Sequence, residues 1–161
     1  MRCTFAVAFA LIVLGGAGAA AAQAPENRPP TAVAASFPIT WAAVERVVKS
    51  EPGNGRLDVL SDATGRRRGR WRMMIPSSDF RAAEWATCQS GTESAVAPRQ
   101  GVFDVAVAGD TAPSTVVVTA QWSAEDPEQE QRAIECRTSG RLERELEKNI
   151  RSRAEKEARK N

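Results

Sequence analysis

"TGRRRGRWRMMIP", Thr64 to Pro76, decides how the chain folds. Five arginines occupy the seven positions from Arg66 to Arg72, and the stretch then turns apolar. Trp71, Met73 and Ile75 alternate with Arg70, Arg72 and Met74. That period of two belongs to a strand with one dry and one wet face. Just upstream, "RLDVLSD" reads as a second strand, with Leu57 and Val59 facing the same core, and "ATGRRR" joins the two. Arg66, Arg67 and Arg68 are then expected at the hairpin tip, and Arg70 and Arg72 on the wet face. Two readings of the arginines follow. One is a solvated strand whose charges discourage edge-to-edge pairing. The other is an anion-binding surface built from Arg66, Arg67, Arg68, Arg70 and Arg72, because each guanidinium offers a rigid donor fork to phosphate or carboxylate.

Working outward, "PITWAAVERVVKS" predicts a helix capped by Thr40, with Ile39 and Val44 as a hydrophobic staple. Trp41, Val44, Val47 and Val48 share one face of it. "EPGNG" ends the helix in a turn. "PSSDFRAAEWATCQSG" is ambiguous: Ser78 or Asp79 could cap a short helix through Glu84, and Trp85 to Cys88 reads equally as strand. "VFDVAVAGD" and "STVVVTAQWS" form an antiparallel hairpin through Gly109 to Pro113. "RAIECR" is a last strand. Leu142, Leu146 and Ile150 then mark the apolar stripe of a C-terminal helix.

The expected fold is α+β: an antiparallel sheet of four to six strands packed against an N-terminal and a C-terminal helix. Its expected core is Trp41, Val44, Val48, Leu57, Val59, Trp71, Met73, Phe103, Val105, Val116, Val118, Leu142, Leu146 and Ile150. The domain spans 38–150. An extended, disordered Pro- and Ala-rich leader precedes it over 23–37, and a charged tail, helical or frayed, follows over 151–161.

The N-terminus sets the expected address. Arg2 is followed by "FAVAFALIVLGGAGAAAA" and an A-x-A site, with cleavage expected after Ala22. Those are the three parts of a secretory signal peptide, so residues 1–22 are read as one. Cys3 lies before the apolar run and cannot be a lipidation cysteine. The expected location is periplasmic or secreted, with no stable membrane anchor after cleavage. Two cysteines remain, Cys88 and Cys136, and an oxidising compartment favours pairing them. Closing that loop stabilises the fold by about 4 kcal/mol on the chain-entropy model.

The composition narrows the chemistry. There is no histidine, so the commonest general base and metal ligand are both missing. Neither G-x-G-x-x-G nor G-x-x-x-x-G-K occurs. Glu125, Asp126, Glu128 and Glu130 cluster in a polar stretch with Pro127, which suits a solvated loop better than a buried acid pair. The reading is therefore no catalytic residues, no metal and no cofactor. Net charge is only +2, so an electrostatic partner has to act on a local patch. Nucleic acid is set aside because export removes the chain from most of it. What remains is a non-catalytic envelope module that binds an unknown protein partner. The alternatives are an anionic lipid or cell-wall polymer bound by the arginine hairpin and, further off, a hydrolase using carboxylates alone.

"CRTSGRLERELEKNI", Cys136 to Ile150, resembles the C-terminal signature of exported, lipoprotein-like bacterial domains. In those, C-x-S-T-G-x-L-E leads from a last strand into a terminal helix. The resemblance implies a small α+β domain with a disulfide to an earlier cysteine, here Cys88. It brings no activity with it. Thr138-Ser139 stands in place of Ser-Thr, and Cys88 is followed by Gln89 where a glycine is usual.

Overall fold

A computed structural model describes residues 28–50, 56–76, 79, 81–90, 94–125 and 133–160. The expected signal peptide, the "EPGNG" turn and the acidic residues Asp126, Glu128 and Glu130 lie outside the described residues. The architecture is α+β, as the periodicities imply. The elements are β1 (Thr31–Val33), α1 (Phe37–Ser50), β2 (Asp58–Ala63), β3 (Arg66–Met74), α2 (Ala82–Trp85), β4 (Ala86–Ser90), β5 (Ser94–Val96), β6 (Gln100–Ala108), β7 (Ser114–Glu125), β8 (Ala133–Thr138) and α3 (Arg141–Ala158).

Among the described residues, eight strands join one antiparallel sheet. Seven run in the order β2-β3-β6-β7-β8-β4-β5, and β1 pairs with β7. That is more than the four to six expected, because β1, β4 and β5 are too short to show an apolar period. The long strand β7 serves two neighbours on one side. Thr31 to Val33 of β1 pair with Ser114 to Val116, and β8 takes over at Trp122.

One face of the sheet is dry. Trp71 and Met73 of β3, Phe103, Val105 and Val107 of β6, and Val116, Val118 and Trp122 of β7 are all buried on it. Helices α1 and α3 cover this face, and their apolar stripes meet the same core. Trp71 stacks on Phe103 with ring centroids 4.9 Å apart, and Phe103 meets Trp122 edge-on at 5.2 Å. Cys88 and Cys136 face each other across β4 and β8, with their sulfurs at bonding distance, 2.01 Å.

Three expectations need correction. Val59 is not core: it is 54 % exposed. It sits on β2, an edge strand of the sheet, and Leu57 alone from that segment packs against the core. The expected disordered leader is ordered over its described part, residues 28–37. Val33 and Ala35 are buried, and β1 completes the sheet. Finally, α1 begins at Phe37, where the Ser36 carbonyl accepts the Thr40 N–H at 3.0 Å. Pro38 fits this first turn because no N–H is needed there. Thr40 is thus inside the helix, and its hydroxyl bonds that of Ser114 at 2.7 Å, both fully buried. At the other end, α3 continues past Ile150 to Ala158 as helix, and Ala154 extends the buried stripe.

Candidate functional site

The β2–β3 hairpin is closed at Thr64-Gly65. Gly65 has φ +66, a left-handed conformation that favours glycine. From the turn, β3 runs between β2 and β6 with Arg66 opposite Ala63 on one side and Ala108 on the other. Strand parity then sorts the arginines. Arg66, Arg68, Arg70 and Arg72 are exposed on the sheet's uncovered face, in line with Met74.

Arg67 breaks the expected grouping. It shares parity with Gly69 and Trp71 and turns inward. Its guanidinium lies 5.1 Å from the Trp41 ring centre and 5.7 Å from that of Phe37, a cation held over two aromatic faces. Its Nη2 also donates to Asp62 at 2.7 Å. Counting back in twos from Trp71 would have revealed this; reading three consecutive arginines as a tip concealed it.

Arg70 is also spoken for. Its Nε and Nη2 both donate to Asp104 on β6, each at 2.8 Å. The hydrogen bond to Asp104, and then its charge, raise the Arg70 pKa above its ordinary value. Among the described residues, Arg66, Arg68 and Arg72 have no ion pair and no side-chain hydrogen bond. The five candidates thus separate into three unpaired outward cations, one outward cation neutralised by a neighbour, and one packing residue.

The uncovered face beyond β3 is built of small and β-branched side chains. Val102, Ala106 and Ala108 on β6 and Thr115, Val117 and Thr119 on β7 are all half-buried there. Two depressions lie elsewhere. A cleft of about 220 Å³ is lined by Met73, Ile75, Trp85, Leu142 and Leu146, with the Arg81–Glu145 ion pair beside it at 3.3 Å. A groove of about 310 Å³ between α1 and α3 is lined by Val47, Ser50, Asn149, Ser152, Arg153 and Lys156.

Two carboxylates escaped the sequence reading. Glu143 and Glu147 of α3 are buried, at 2 % and 7 % exposure. Glu143 accepts the Thr138 hydroxyl at 2.6 Å. Glu147 accepts the Val118 N–H at 2.9 Å, the Thr31 hydroxyl at 2.8 Å and an Arg28 N–H at 3.2 Å. Neither lines the two depressions, and Glu147 is committed to holding backbone in place. Among the described residues, no three His, Cys, Asp or Glu side chains converge as metal ligands. No helix among them is long and apolar enough to cross a membrane.

No family model matches this chain, and no curated protein or solved structure matches it either.

Proposed function

We propose that this protein is an exported, non-catalytic module of the bacterial cell envelope that acts by binding a partner on the uncovered face of its sheet. The observation that carries this reading is the asymmetry of the fold. Both long helices occupy one face, and the other presents a broad surface bordered by a row of outward arginines. Export is supported by the signal-like N-terminus and by a cysteine pair at bonding distance. The likeness of Cys136 to Ile150 to exported bacterial domains points the same way. Binding of an anionic envelope component is favoured over other chemistries by Arg66, Arg68 and Arg72, whose charges no described residue balances.

The test is fractionation of bacteria expressing the full chain with its own N-terminus. The expected product is a periplasmic or secreted protein whose mass begins at Gln23, with no titratable thiol when unfolded without reductant. A cytoplasmic product that keeps Met1 and shows free Cys88 and Cys136 thiols would refute the reading.

A further inference from the structure

We draw no further inference here: the strongest candidate, the cleft of about 220 Å³ between the end of β3, the α2 segment and α3, with Met73, Ile75, Trp85, Leu142 and Leu146 as its apolar lining, carries nothing, because nothing in the structure shows what would occupy it.

Discussion

Replacing Glu147 by alanine should unfold the seam where the sheet changes neighbours. On one side of β7, β1 ends at Val116 and β8 starts at Trp122. Val118 falls between them, with no strand to take its N–H and C=O. Two side chains substitute for the missing strand. Glu147 accepts the Val118 N–H at 2.9 Å, and Arg28 donates to the Val118 carbonyl at 2.8 Å. The two are themselves paired at 3.2 Å, and Thr31 donates to the other carboxylate oxygen. In Glu147→Ala a buried N–H loses its acceptor, at about 1–3 kcal/mol. The loss of the Thr31 bond adds about 1 kcal/mol. The Arg28 side chain is 21 % exposed, so its lost pairing is partly screened and adds about 1 kcal/mol or less. The total is about 3 kcal/mol. It should appear in urea titration as a lower midpoint at unchanged slope, and as a melting point lower by about 10 °C. Glu147→Gln keeps an acceptor for Val118 and should cost about half as much. A cycle with Arg28→Ala should show coupling of about 1 kcal/mol. If Glu147→Ala stays within about 0.5 kcal/mol of the parent, as a surface change would, the account of the seam is wrong.

Two further outcomes follow from the same packing. Arg67→Ser should destabilise by about 1–2 kcal/mol through lost contact with Trp41 and Phe37, whereas Arg66→Ser should stay within about 0.5 kcal/mol; equal effects in urea titration would contradict the inward placement of Arg67. Gly101→Ala should cost about 1–3 kcal/mol, because a Cβ would sit 2.7 Å from Phe103 and 2.9 Å from Trp122, two buried rings in contact; a variant as stable as the parent would mean those rings can part.

How much of this was legible in the sequence depends on how far each feature reaches along the chain. Alternation is local, so the dry faces of β3, β6 and β7 were readable from Trp71, Phe103 and Val116 onward. Coverage is not local. Val59 has the right period, but nothing in its neighbourhood tells that β2 ends the sheet. The stripe of α3 was followed only while its residues were large. Ala154 and Ala158 continue the four-residue spacing from Ile150, and their small size hid them. Glu147 stands four residues after Glu143 in a helix charged at most positions, so nothing local marks it as buried. Its partners are Arg28, Thr31 and Val118, and no window of sequence joins them.

The arginines were the question with the widest consequences, and the topology changes its terms. A row of charges on an edge strand has a folding purpose, since it keeps unpaired backbone from recruiting another chain. That purpose requires β3 to be an edge. It is not: β2 covers one side and β6 the other. The edge on this side is β2, which is guarded by its own register shift and by Asp58 and Asp62. Arg67 then has a packing role and Arg70 a local partner in Asp104. For Arg66, Arg68 and Arg72 no contact among the described residues supplies a role in folding. Surface lysine or serine would serve the sheet as well, and serine would avoid the repulsion of like charges held two residues apart on one face. What distinguishes these three is a donor fork matched to phosphate, set in a row on the uncovered face of the sheet. If R66S/R68S/R72S proves at least as stable as the parent in urea while losing the parent's hold on anionic lipid or cell-wall polymer, the arginines are there for the partner and not for the fold.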